Sequence, residues 1–330
     1  MFKRKRSLIT ALSLVVVAAA LLIFGVFGSQ MAVLFNVTHG PSITMTQSGL
    51  VMSDPFTSQD NSWIFGGDAI TLNATYSHSV NSSGLYLGIQ SPKSGEWTGY
   101  YAGQPADKAN LFHATLTLPY EKIANGSFNS ALFVQTTIKP INYIACGAGV
   151  NNQGYYWEVV IGTGTPFTAN HFQSVYYKWM ANQSLTQDCT IVTNGKNLLS
   201  VYLGHSEVYS NNNTTLPVPP PFNVYLAVET TSPQMLFGSY SDFYATLGSN
   251  VTVMNAPIGG HVAIVDSSNN TISQASVTSG MNVIIPLAPN STQTFGYIRV
   301  YNSNGALIAS TTQVSTIWSG STYSFKPGSG

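Results

Sequence analysis

From Trp63 to Phe325 apolar residues recur at alternate positions in short runs, and clusters of Gly, Pro, Asn and Ser separate each run from the next. The clearest case is Cys189 to Tyr209. Leu199, Val201 and Leu203 fall on one face there, and Ser200 and Tyr202 on the other, as in a strand with one buried side. Asn194-Gly195 before it suits a type I′ hairpin turn, which needs positive φ at both central residues. Gly204-His205 makes a second turn, and the chain returns through Glu207-Val208-Tyr209. The same reading predicts strands at Ala69–Tyr76, Leu85–Gln90, Leu111–Leu118, Ala131–Ile138, Tyr155–Ile161, Phe172–Trp179, Asn223–Thr230 and Leu236–Leu247. After a break at 248–250 it predicts Val251–Asn255, Val262–Asp266, Asn282–Leu287, Phe295–Tyr301, Leu307–Thr312 and Thr322–Phe325, with Asn304-Gly305 as a hairpin turn.

Beyond the first 28 residues no helical period is sustained, so the expected class is all-β. Residues 63–248 are too many for an immunoglobulin sandwich and suit a jelly roll of two curved sheets. Residues 249–325 have the size of an immunoglobulin-like sandwich, and 326–330 form a loose tail. Pro217-Val218-Pro219-Pro220-Pro221 reads as a stiff crossover between sheets. Residues 31–62, rich in Ser, Thr and Gly with Gly40-Pro41 and Asp54-Pro55, read as a stalk.

Residues 1–30 change the picture. Lys3, Arg4, Lys5 and Arg6 precede an unbroken apolar run from Leu8 to Gly28, long enough for one helix to cross a bilayer. The run suits an uncleaved anchor, a cleaved signal or a pilin-type processing site. Each reading puts the basic cluster in the cytoplasm and the rest of the chain outside. The two cysteines, Cys146 and Cys189, are then expected to form a disulfide. Asn-x-Ser/Thr sequons at Asn36, Asn73, Asn81, Asn125, Asn182, Asn212, Asn213, Asn250, Asn269 and Asn290 are candidate glycosylation sites.

Only 7% of the residues are charged. Past the basic cluster, eight basic residues face twelve acidic ones, a net of −4. That balance excludes the basic stripes nucleic acid requires.

The segments GLYLGIQ (84–90), NLFHATLTLPYEKIANGSFNSALFVQT (110–136), GYYWEVVIG (154–162), DCTIVTNGKNLLSVYLGHSEVY (188–209) and PFNVYLAVETTSPQMLFGSYSDFYATL (221–247) resemble concanavalin A-like jelly rolls of the laminin-G type. The stretch VTVMNAPIGGHVAIVDSSNN and onward is similar to the immunoglobulin-like module that trails such domains in archaeal secreted and surface proteins. The resemblance implies a scaffold shared by lectins, carbohydrate-binding modules, glycoside hydrolases, lyases and adhesion proteins, and it does not choose among them.

For catalysis the sequence offers Glu158 and Glu229, whose strand parity allows both to point into one concave sheet as an acid/base pair. Gln135 would join them in a Gln/Glu arrangement like that of jelly-roll acid peptidases. The six histidines are dispersed, without metal-ligand spacing, and suit surface or turn positions. No cofactor is expected beyond a structural calcium on Asp242, with carbonyls near Gly66-Gly67. For stacking on sugar rings the candidates are Trp97, Tyr100 and Tyr101 in a loop, with Trp157 and Trp179 on strands. The expected protein is a non-enzymatic, membrane-tethered surface protein that binds glycans or cell-surface partners. The alternatives are an exported hydrolase, lyase or acid peptidase using Glu158 and Glu229, and a self-assembling envelope or filament subunit.

Overall fold

The computed structural model describes residues 40–58, 62–119, 123–164, 171–180, 185–193, 199–211, 218–278, 282–288 and 291–328. Residues 43–325 form one compact unit. Most of it is a sandwich of two sheets. The seven-stranded sheet runs, edge to edge, His171–Trp179, Gly154–Thr163, Asn142–Asn151, Ser127–Thr136, Phe222–Thr230, Thr98–Pro105 and Ile64–Gly66. The eight-stranded sheet runs Ser206–Asn211, Leu199–Leu203, Thr186–Thr193, Leu111–Thr117, Leu236–Thr246, Gly84–Gln90 and Thr75–Asn81, with Leu50–Asp54 paired to Leu236–Thr246.

Alternation explains the core. One set of alternate residues turns inward between the sheets and packs in one cluster, including Leu116, Ile191 and Val201 from one sheet and Leu132, Ile144 and Val224 from the other. The expected disulfide is formed and joins the two sheets, with Cys146 and Cys189 both fully buried. Cys189 pairs with Leu203 and Thr193 with Leu199, as the central hairpin requires; Asn194-Gly195 lies outside the described residues.

A second cluster, around Val251, Val253, Ile264, Ile285 and Ile298, lies among two smaller sheets. One holds Ser42–Gln47, Thr322–Lys326, Asn250–Met254 and Asn282–Pro286. The other holds Thr271–Ser276, His261–Val265, Gln293–Tyr301 and Leu307–Ser310, with Ser315–Trp318 paired to Gln293–Tyr301.

Several expectations fail. The strand expected at Ala69–Tyr76 is a one-turn helix, Asp68–Thr71, followed by the strand Thr75–Asn81. Ala69 is buried while Thr71 and Leu72 are exposed, and a run this short satisfies either period. The segment GYYAG, expected to be loop, lies in the strand Thr98–Pro105. Asn142–Asn151 was not foreseen as a strand at all, because Ala145, Gly147, Ala148 and Gly149 resemble a loop more than a strand. Within the expected stalk, Ser42–Gln47 and Leu50–Asp54 are strands. The expected anchor lies outside the described residues. Among the described residues no helix is long and apolar enough to cross a membrane.

The seven-stranded sheet has a repeated device on its outward face. Gly103 pairs across strands with Tyr225, Gly149 with Tyr156, and Gly162 with Tyr143. Each tyrosine ring lies over its partner glycine: a β-carbon at Gly103 or Gly162 would sit 2.5 Å from the ring atoms, and one at Gly149 would enter the Tyr156 ring contact. Glycine in a strand interior ordinarily weakens it, and here the ring covers the exposed backbone instead.

Candidate functional site

The outward face of this sheet carries a groove of about 420 Å³. Its floor comes from alternate small residues on neighbouring strands: Ala131, Ala145 and Gly147. Rings stand around it. Trp97, Phe133, Tyr143, Tyr156 and Tyr177 all line the groove. Tyr156 and Tyr177 stack with centroids 4.8 Å apart, and Trp179 meets both edge-on at 5.6 and 5.4 Å. The Tyr156 hydroxyl donates to Asn129 Oδ1 at 2.5 Å, which fixes one polar wall.

The small floor is required by packing as well as by the groove. A β-carbon at Gly147 would lie 2.7 Å from Ala131 Cβ and 2.8 Å from the Ser130 carbonyl oxygen. Gly147→Val is therefore expected to lower stability by about 1–3 kcal/mol, read by denaturant unfolding, and to fill the groove.

Three carboxyls line the same groove: Asp68, Glu158 and Glu229. Glu158 and Glu229 thus face one concavity, as their parity allows. Glu158, Gly147, Ala131 and Ala227 form one row across four strands. Glu229 lies two residues past Ala227, so the Cα atoms of the two glutamates are about 16 Å apart at ordinary strand spacing. That is too wide for a retaining glycosidase pair, whose carboxyls sit about 5 Å apart; the about 6.5–9.5 Å of an inverting pair is reached only if both side chains lean inward. Asp68 is the nearer neighbour. Gly99, the cross-strand partner of Glu229, donates its amide to Asp68 Oδ1 at 2.5 Å.

Burial on the groove floor pushes the Glu229 carboxyl up to about 8, and the charges of Asp68 and Glu158 push the same way. Glu229 keeps a little accessible surface, and no hydrogen-bond donor reaches it among the described residues. Burial also raises Glu158, partly offset by a hydrogen bond from Ser174. It raises Asp68 too, against the stabilising Gly99 amide. Tyr143 is raised by burial to about 12, with Glu229 adding to the shift.

The remaining candidates divide. Trp97 (52% exposed) and Trp179 (42% exposed) are open to solvent on the groove side. Tyr101 stands half-buried on the same face, edge-on to Tyr225 at 5.0 Å. Tyr100 and Trp157 do not serve as a platform. Both turn into the core, because their strand positions have inward parity, and the Tyr100 hydroxyl pairs with His78 Nδ1 at 2.7 Å. Gln135 is buried away from the acids, since six residues separate it from Asn129, the cross-strand partner of Glu229, and its amide points to the Gly164 carbonyl. No Gln/Glu dyad forms.

Asp242 is exposed on the eight-stranded sheet, while Gly66 and Gly67 lie at the edge of the other, so the expected calcium site is not assembled. Among the described residues no three His, Cys, Asp or Glu side chains are grouped to hold a metal. One histidine departs from the expected surface role: His113 lies mostly buried beside Thr190 and Asp188, whereas His78 is exposed and stacks on Phe65 at 3.7 Å. Asn73, Asn81, Asn125, Asn250 and Asn269 are exposed; the other sequons lie outside the described residues.

Asp68 was absent from the sequence-derived site. Its signal was the Gly66-Gly67-Asp68 triplet, in which Gly67 takes φ 133° and turns the chain so that the acid faces the sheet.

No family model matches the chain, and neither does any curated protein. Among solved structures it is similar to a Bacillus licheniformis β-glucanase at 13% identity and a TM-score of 0.41, over 61% of this chain and 99% of that one. A glycoside hydrolase family 16 endo-glucanase from Bacteroides ovatus matches at 13% and 0.41, over 59% and 100%. The CBM2 module of an evolved Dit from a Lactobacillus casei phage matches at 12% and 0.44, over 61% and 96%. Likenesses this distant leave the function to be argued from the groove.

Proposed function

We propose that this is an exported protein that binds glycan in the concave groove of its larger sandwich. The observation that carries the reading is the groove itself, with a Gly/Ala floor flat enough for a sugar ring and exposed Trp97 and Trp179 with Tyr156 and Tyr177 at its borders. Asn129 and Asn151 supply amides for hydroxyls. The Cys146–Cys189 bond supports export, since such bonds persist in oxidising compartments. Residues 1–30 would tether the chain to a membrane, and residues 249–325 would act as an immunoglobulin-like spacer.

The test is a glycan array on the full-length chain, followed by titration of the best oligosaccharide against Trp97→Ala and Trp179→Ala. Each change is expected to weaken binding about tenfold or more without lowering stability. An array without saccharide hits would reject the reading in favour of a protein partner or self-assembly.

A second reading, hydrolysis, rests on the grouping of Glu229 with two further carboxyls in one groove, where burial pushes Glu229 up to about 8 and so toward the protonated state a general acid needs. Release of reducing ends that disappears in Glu229→Gln, while binding persists, would establish it.

A further inference from the structure

We propose that the groove selects a cationic saccharide, an oligomer of amino sugars with free amino groups, over neutral and acidic glycans. This rests on the glycan reading and narrows it to one charge class.

The argument begins with the lining. Asp68, Glu158 and Glu229 face the groove, and among the described residues no lysine, arginine or histidine lines it. Glu96, next to Trp97, is exposed and adds its charge to that felt by Asp68. None of these four carboxyls has a basic group within 4.0 Å among the described residues, where the single ion pair joins His113 and Asp188 on the other sheet. Most carboxyls this enclosed are paired or hydrogen-bonded. Glu229 has neither kind of partner among the described residues.

Burial and the neighbouring carboxylates keep Glu229 protonated in the free groove, and a cation bound beside it would let it ionise, releasing its proton to water and answering the charges of Asp68 and Glu158. The rings strengthen the preference. Trp97 and Tyr177, both exposed, present ring surface that attracts ammonium groups as well as sugar C–H surfaces. An acidic polysaccharide would add charge to a site that already holds too much of one sign. A neutral glucan would stack on the same rings and leave the carboxyls unanswered. The floor of Gly147, Ala145 and Ala131 leaves room for a pyranose ring between the acid positions, which sit at different heights along the strands.

Calorimetric titration of the full-length chain at low salt would compare hexamers of glucosamine, N-acetylglucosamine, glucose and glucuronate, with hexalysine as a non-sugar cation. The glucosamine hexamer is expected to bind at least tenfold tighter than the glucose and N-acetylglucosamine hexamers. That preference is expected to shrink as salt rises. Glu229→Gln and Asp68→Asn are each expected to reduce the ratio of glucosamine-hexamer to glucose-hexamer affinity severalfold; Glu158→Gln is the substitute if either fails to fold. Equal or tighter binding of the neutral or glucuronate hexamers would overturn the proposal and leave glycan binding standing. Hexalysine binding as tightly as the glucosamine hexamer would also overturn it, pointing to a basic peptide. Absence of binding by every saccharide would reject both this proposal and the glycan reading.

Discussion

Unfolding in guanidinium is expected to require less denaturant at pH 8 than at pH 5, and Glu229→Gln is expected to remove most of that difference. The Glu229 carboxyl titrates at about 8 in the folded protein, against 4.5 as its ordinary value. Between those values the folded chain keeps a proton that the unfolded chain has released. Stability from this group is therefore complete below about pH 4.5 and is lost as pH rises toward 8. At about 1.4 kcal/mol per unit the loss is of order 4 kcal/mol. Asp68 and Glu158 are raised as well and act with the same sign, so some of the slope survives in the variant.

The groups facing Glu229 are Asp68, Glu158, Tyr143 and Tyr156, with Tyr240 reaching it from the opposite sheet. His113 acts in the opposite direction. Its pKa is lowered by burial, so its contribution is lost as pH falls below about 6.5. The wild-type profile will thus combine both effects, and the difference between wild type and Glu229→Gln isolates the carboxyl. A variant with the same slope as the wild type would show that Glu229 is not the group held protonated.

The second large effect concerns the bond between the sheets. Cys146 and Cys189 are 43 residues apart in sequence, and closing a loop of that length stabilises the fold by about 4 kcal/mol in the chain-entropy model. The double variant Cys146→Ala/Cys189→Ala is expected to lose roughly that much in denaturant unfolding. Both sulfurs are fully buried in the main core cluster, so the alanines add a small cavity cost to the lost constraint. The effect should reach the groove, because Cys146 lies on the strand Asn142–Asn151 whose opposite face is the groove floor. Weaker ligand binding should therefore accompany the stability loss. A double variant as stable as the wild type would show that core packing alone holds the sheets together.

Much of the sandwich could be read from alternation, because the side a residue faces depends only on its own strand. The inward set Leu199, Val201 and Leu203 and the shared outward face of Glu158 and Tyr156 are examples. Where polar and apolar residues did not alternate, the reading failed. The strand Asn142–Asn151 is nearly all small or apolar and buried on both faces, so it carries no alternation to read. Gly99 and Gly103 around Tyr100 suggest a loop and a surface ring, whereas Gly99 donates its amide to Asp68 and Gly103 makes room for the Tyr225 ring within a strand.

By itself, the sequence determined the all-β class, the pairing of the two cysteines and which neighbours each glutamate shares its own strand face with, since these follow from local periodicity and from having only two thiols. Tertiary structure alone decided that Glu158 and Glu229 open on one groove, that Asp68 joins them, that Gln135 does not, and that tyrosines lie over glycines on neighbouring strands. Those facts depend on register between segments far apart in the chain. Backbone hydrogen bonds set register by which strands meet, and no residue carries that information alone.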